Sequence, residues 1–377
     1  MDQFGIMADL LPAGDYLILL LSAALHETDP PDLPPGLTWR QVYHMARRHS
    51  VEQLAFYRIK DRVAREDPDT CREWERQCMQ YLVLSLTQET EHQAISARFR
   101  EAGIPLVSLK GAQLAELYPQ GSFRQMADLD YLIPPEARQL GANLMEALGY
   151  QDSPEEDQAD FHAVYHKPPY MTVELHPWLV PPWDPGARYL GGAWDHTVPD
   201  GAGGFRLSRE FSYLFLVAHM AKHFFMVGCG IRSVLDIYLA RTAWEDGMDW
   251  GGVESGLRQM GLLSFARQVE ALGRDWFGPH PVVPHRSRAR IMEQEIYAAG
   301  THGSKLARIA HAVPPDFQRR PMLWNRTVFA WRRLFIGRAY MVRDYPGLEQ
   351  YPVLLPVCWL RRLFRQLVRR RSPFHET

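Results

Sequence analysis

Net charge is nearly absent from this chain. In 377 residues, 42 Lys and Arg stand against 44 Asp and Glu, leaving −2. Bulk affinity for nucleic acid from net charge alone is thereby excluded. Cysteine is scarce as well. Cys71, Cys78, Cys229 and Cys358 form no CxxC pair and no disulfide framework, so the simplest expectation is a reduced, cytoplasmic chain. Long apolar runs are missing. The longest early one, Leu17 to Leu25, is interrupted by Ser22 and flanked by Asp15 and His26. It is too short to span a bilayer and reads as a buried helix, and no secretory signal is visible. Lysine is almost lacking: only Lys60, Lys110, Lys167, Lys222 and Lys305 occur, and the other basic residues are arginine.

What is present is a globular mixture. Hydrophobic residues make up 46% and charged residues 23%, which excludes a wholly disordered or fibrous chain. The length suits two domains, or three small ones. The 28 prolines predict long connecting segments. Charge is uneven in place: Arg319 to Arg371 holds 13 arginines against Asp344 and Glu349. Such a tail either packs on an acidic body or meets an anionic partner such as a membrane surface.

Residues 1–100 read as helical. Thr38-Trp39-Arg40-Gln41, Ser50-Val51-Glu52-Gln53 and Thr70-Cys71-Arg72-Glu73 are three successive capping boxes. The third opens a long segment ending at Gly103, with a break expected between Leu86 and Ile95 where the helical spacing fades. Residues 101–200 change texture. Ile104–Leu109 and Asp128–Ile133 are strand-like, Ala112–Tyr118 and Pro134–Leu148 are helical, and Gly149 is a stop. Phe161–His166 and Tyr170–His176 pair as a hairpin around Lys167-Pro168-Pro169. The expected class is α+β, mostly helical, with a central sheet. Pro181–Gly204 marks a boundary. In residues 201–377, Ser208 caps a helix through Met226, Gly228 and Gly230 interrupt it, and Ile231–Glu245 continues. Segments near 252–274, 286–299 and 322–343 are also helical.

The chemistry centres on Asp128-Leu129-Asp130. Alternate residues of a strand share a face, so the two carboxylates point the same way, with Cα atoms about 6.6 Å apart. Paired anions repel unless a cation joins them, and hard oxygen ligands suit Mg²⁺ or Mn²⁺. Glu174, on a second strand that also carries His176, adds a third carboxylate if the strands are neighbours. Three carboxylates can hold two ions for in-line nucleotidyl transfer. Lys110-Gly111, at a strand–helix junction, offers close backbone approach and a point charge for phosphate. Arg124, in a polar loop, is a second candidate phosphate clamp.

Together, Leu109-Lys110-Gly111-Ala112, Tyr118, Arg124 and Asp128-Leu129-Asp130-Tyr131-Leu132-Ile133 resemble the uncharacterised nucleotidyltransferase family of the polymerase-beta-like superfamily. Trp39 and His49-Ser50-Val51 before the core, and His219, His223, Arg232 and Asp236 after it, extend the likeness over most of residues 35–245. The resemblance implies a polymerase-beta-like nucleotidyltransferase sheet between helical N- and C-terminal regions. It implies Mg²⁺-dependent transfer of NMP from an NTP, ATP foremost, to an acceptor that is a small molecule, peptide or protein. Asp128 and Asp130 match its metal carboxylates, Glu174 is the third, and Gly111 opens the phosphate-facing helix. Ala112 departs from the Gly-Ser or Gly-Gly of the wider pattern and supplies no hydroxyl.

His219 and His223 share a helix face and, with Asp236, could ligate a metal, although the zinc-peptidase Glu after the first His is lacking. The preferred role for the pair is lining the cleft, with His223 at the nucleotide and Lys222 or Arg232 near the nucleotide or acceptor. Trp359–Arg371 is a basic amphipathic segment, docked on the body or touching a membrane surface. Two rivals to catalysis remain: a nucleotide- or partner-binding descendant without activity, and a metal hydrolase built on His219, His223 and Asp236.

Overall fold

A computed structural model describes residues 3–153, 162–180, 186–201, 203–226, 228–283, 290–301, 345, 351–359 and 361. The chain separates into two compact units, residues 1–307 and 308–377. In the second, the 3₁₀ turn Pro352–Leu354 is described, followed by helical residues 355–359. The helix expected at 322–343 and nearly all of the basic segment lie outside the described residues.

In the first unit the N-terminal helices are α1 (Gln3–Leu25), α2 (Trp39–Arg48), α3 (Glu52–Tyr57), α4 (Lys60–Glu66) and α5 (Pro68–Glu101). The Leu17–Leu25 run lies in α1, with Leu17, Ile18, Leu20 and Leu21 fully buried. Thr38 caps α2 with the expected box: its hydroxyl accepts from Gln41 N–H, and Gln41 reaches back. The other two boxes are corrected. Ser50 sits at φ +53° and Val51 precedes α3 without a side-chain cap. Asp67 caps α5, accepting from Thr70 N–H, with Pro68 in the first turn. An Asp before a Pro out-competes a Thr three residues later, because proline is pre-set for the first helical turn. Nor does α5 break: it runs 34 residues. Its apolar spacing fades because residues 87–94 are polar apart from Ala94, yet the helix continues through them.

The sheet follows. Its strands are β1 (Val107–Ser108), β2 (Leu129–Leu132), β3 (Gln151–Asp152), β4 (Ala163–Lys167), β5 (Met171–His176), β6 (Thr197–Pro199) and β7 (Phe205–Leu207). Their order is β3-β4-β5-β2-β1-β7-β6. β2 is parallel to β5 and antiparallel to β1, so the sheet is mixed. The hairpin around Lys167-Pro168-Pro169 forms as β4 and β5. Sequence reading missed β6 and β7, which fall around the Pro/Gly-rich boundary. They extend the sheet by parallel pairing of β7 with β1.

Period-2 alternation divides the sheet into two faces. Leu129, Tyr131, Val173 and Leu175 pack with Ile95 and Phe99 of α5 and with Leu144 and Met145 of α7 (Arg138–Ala147). On the opposite face Leu132, Val107 and Leu207 pack with Leu190 of α8 (Ala187–Leu190) and with Phe211 and Phe215 of α9 (Arg209–Met226). The polar residues Asp130, Glu174 and His176 share that second face. The helical layer continues through α10 (Ile231–Ala243), α11 (Trp250–Gln259), α12 (Leu263–Phe277) and α13 (Arg290–Ala299). The helix expected at 252–274 is two helices, because Gly261 turns the chain at φ +71°. No helix among the described residues is long and apolar enough to cross a membrane.

Candidate active site

The second face of the sheet and the helices α9 and α10 enclose a cleft of about 860 Å³. Lys110, Asp128, Asp130, Glu174, His219 and Arg232 line it. The parallel pairing of β2 and β5 sets Asp130 directly opposite Glu174. Asp128, just before β2, completes a trio in which one carboxylate oxygen from each residue lies within 4.8 Å of the others. The convergence expected from the strand pattern is therefore present in the geometry.

Lys110 and His176 meet the trio. Lys110 Nζ lies 3.6 Å from Asp130 Oδ2 and 5.2 Å from the centre of the Phe215 ring. His176 Nε2 lies 3.0 Å from Asp130 Oδ1 and 3.2 Å from Glu174 Oε2. Electrostatics then separates the two aspartates. Burial alone would raise the Asp130 carboxyl, but Lys110 and His176 hold it well below its ordinary value. Among the described residues Asp128 forms no ion pair, and the charges of Lys110 and Arg232 offset its neighbours only in part. Burial, then the charges of Asp130 and Glu174, push it up to about 6. Burial opposes a proton on His176, but its hydrogen bonds to Asp130 and Glu174 outweigh this and raise its affinity.

Lys110 adopts φ +50°, a left-handed backbone unusual for a side chain of this size. The chain there turns tightly, with Gly111 N–H donating to Leu109 C=O. Strain of this kind gathers at ligand sites. α6 (Gly111–Ala115) follows. A Cβ on Gly111 would lie 2.5 Å from Met126 Sδ, so the glycine makes room for the loop that delivers Asp128.

That loop is held from both sides. Arg124 donates to both oxygens of Asp236, Nε to Oδ1 at 2.9 Å and Nη2 to Oδ2 at 3.0 Å. Tyr118 donates its hydroxyl to Asp236 Oδ1 at 2.8 Å. Arg232, one turn earlier on α10, donates to Gln125 C=O. Gln88 of α5 donates to Met126 C=O at 3.2 Å. Arg124 thus lines the cleft but faces Asp236. His219 and His223 lie with their Nε2 atoms 3.1 Å apart. Burial, with Lys110 next, lowers both, His223 to about 4, so both are neutral near pH 7 and one ring donates to the other. Asp236 does not join them: among the described residues no metal-ligating cluster combines these three.

Sequence reading gave no role to His162, the Asp236 counter-ion or Glu52. Glu52 is fully buried, and among the described residues neither oxygen has a hydrogen-bond partner. Burial, opposed by its own backbone amide and by Gln125, Arg47 and Arg232, pushes its carboxyl from 4.5 up to about 7. A raised folded-state value favours the fold below about pH 4.5, and that benefit is lost as pH rises through about 7. By pH 8 the buried charge costs about 3 kcal/mol. Glu52→Gln is therefore expected to melt several degrees above wild type at pH 8 and with it near pH 4.5, as thermal melts at the two pH values would report.

Residues 35–278 match the family described as "Uncharacterised nucleotidyltransferase". The chain belongs to this family, a nucleotidyltransferase by class, and membership implies a nucleoside triphosphate as substrate. The match continues beyond the stretch read from motifs, over α11 and α12. No curated protein and no solved structure matches the chain.

Proposed function

We propose that the chain moves an NMP group from an NTP, ATP foremost, to an acceptor oxygen, with Asp128, Asp130 and Glu174 as its catalytic carboxylates. The observation that carries this reading is the convergence of the three carboxylates within 4.8 Å on the wall of a cleft. An all-oxygen donor set of this spacing fits Mg²⁺ or Mn²⁺, and the raised proton affinity of Asp128 reflects its burial first and then the neighbouring charges of Asp130 and Glu174. A divalent ion bound there supplies charge neutralisation at the phosphoryl oxygens.

The protein's own groups do the rest. Lys110 and Arg232 face the triphosphate and offset its charge. Arg124, paired with Asp236, positions the Asp128 loop. Neutral His219 and His223 border the nucleotide or the acceptor. Glu174 receives the acceptor proton as the new P–O bond forms and pyrophosphate leaves. Residues 101–200 act as the nucleotidyltransferase core of the polymerase-beta-like type, with 1–100 and 201–377 as helical flanks. The acceptor is a small molecule, a peptide or a protein, and the setting is the cytoplasm.

The test is incubation with each NTP and Mg²⁺ or Mn²⁺, reading pyrophosphate and mass gain on the protein or in a cell extract. Pyrophosphate release that needs the divalent ion supports the reading, and its absence under every NTP and extract removes it. Lys110→Met is expected to lower kcat/KM for the NTP roughly 100- to 1000-fold, because a charge aimed at phosphate in a dry cleft is lost. A second reading draws on the contacts of Asp130 with Lys110 and His176, which neutralise it without an ion. A non-catalytic nucleotide binder would keep ATP binding and release no pyrophosphate.

A further inference from the structure

We infer that His162, Glu174 and His176 form a second metal site, one that takes a borderline divalent transition ion such as Zn²⁺. Each presents one ligand atom, all within 4.8 Å of one another. The register explains the meeting. β4 and β5 pair Ala163 with Leu175 and Val164 with Glu174. One further step sets His162 against His176, on the face that carries Glu174.

Geometry favours an ion at this point. Glu174 Oε2 is 3.2 Å from His176 Nε2 and 3.7 Å from His162 Nε2. Zinc bonds of about 2.05 Å at a tetrahedral angle place ligand atoms about 3.3 Å apart, close to both Glu174 separations, and the two imidazole donors lie within 4.8 Å of each other. The imidazoles lie side by side, with centroids 5.0 Å apart and planes 42° from parallel. Their side chains are 8% and 10% exposed, so the donors are already withdrawn from water.

Donor chemistry distinguishes this site from its neighbour. Two imidazoles and one carboxylate suit Zn²⁺ and similar ions, with a fourth position open to the cleft. The trio of Asp128, Asp130 and Glu174 offers oxygen only, which suits a harder ion. Glu174 belongs to both sets and can bridge them. The inference stands apart from nucleotide transfer, since ion binding needs no nucleotide.

The test is titration of chelator-treated, full-length protein with Zn²⁺ alone, by calorimetry and by competition with a chromophoric chelator. Wild type is expected to bind one tight equivalent. His162→Ala, with an unchanged circular dichroism spectrum, is expected to bind it roughly 100-fold more weakly or worse. Asp128→Asn, which keeps all three donors, is expected to retain it. Co²⁺ in place of Zn²⁺ should give the visible bands of a four-coordinate site in wild type, and these should vanish in His162→Ala. Three outcomes overturn the inference: no stoichiometric Zn²⁺ in wild type, unaltered affinity in His162→Ala, or loss in Asp128→Asn alone. Pyrophosphate release is assayed separately, so failure of either reading leaves the other standing.

Discussion

Asp130→Asn is expected to lower metal-dependent pyrophosphate release about 1000-fold, or roughly 4 kcal/mol in the barrier. The substitution keeps size and shape and removes one unit of charge. Asp130 is the point where Lys110, His176 and the proposed ion all meet. Losing it leaves Lys110 without its paired anion, so a divalent ion meets repulsion as well as a missing ligand. Asp128→Asn is expected to act in the same direction, with the larger share of its effect seen as a higher metal requirement. The fold should tolerate both, because Asp130 exchanges charge-assisted bonds for relief of a buried charge. Steady-state release across a range of Mg²⁺ or Mn²⁺, beside melting curves, would check this. Activity within threefold of wild type in both variants would dismiss the catalytic reading.

Arg124→Ala is expected to cost the fold about 3–5 kcal/mol, because it leaves Asp236 as a buried charge without its partner. Both side chains are under a tenth exposed, and the pairing is bidentate with Tyr118 as a third partner. The melting temperature should fall by roughly 5–15 °C. Asp236→Ala should do likewise. The double variant Arg124→Met with Asp236→Leu should recover much of the stability, since apolar groups of similar volume need no counter-charge. Activity should stay low in that double variant, because the anchor of the loop before Asp128 is gone even when the core is sound. Recovery of both stability and turnover would show that the pair has no positioning role.

The parts of this molecule that were legible in the sequence rest on local spacing. Asp128 and Asp130 are two apart, and strand alternation alone puts them together. Glu174 needed only the assumption that its strand lies next to β2, which the parallel pairing meets. The Lys167-Pro168-Pro169 turn also carried more than was taken from it. A hairpin centred on Pro169 sets residue 162 against residue 176, so His162 could have been found by counting. Arg124 and Asp236 were a different matter. They are 112 residues apart, and no spacing rule reports which buried anion a given arginine will choose. Glu52 was hidden because a carboxylate in a capping-box pattern reads as solvated, whereas Ser50 left the box and α3 turned Glu52 inward. Three-residue strands such as β6 and β7 carry too little periodicity to separate them from a Pro/Gly-rich connection.

The clamp on the loop before Asp128 has a consequence for how small a working unit can be made. Arg124 finds its counter-ion on α10, more than a hundred residues downstream, and Arg232 of that helix also holds the neighbouring peptide. A fragment ending near residue 200 would carry all three carboxylates but neither Asp236 nor Arg232, so the loop before Asp128 would lose both of these anchors. A minimal version that keeps the loop anchored therefore runs at least through Asp236.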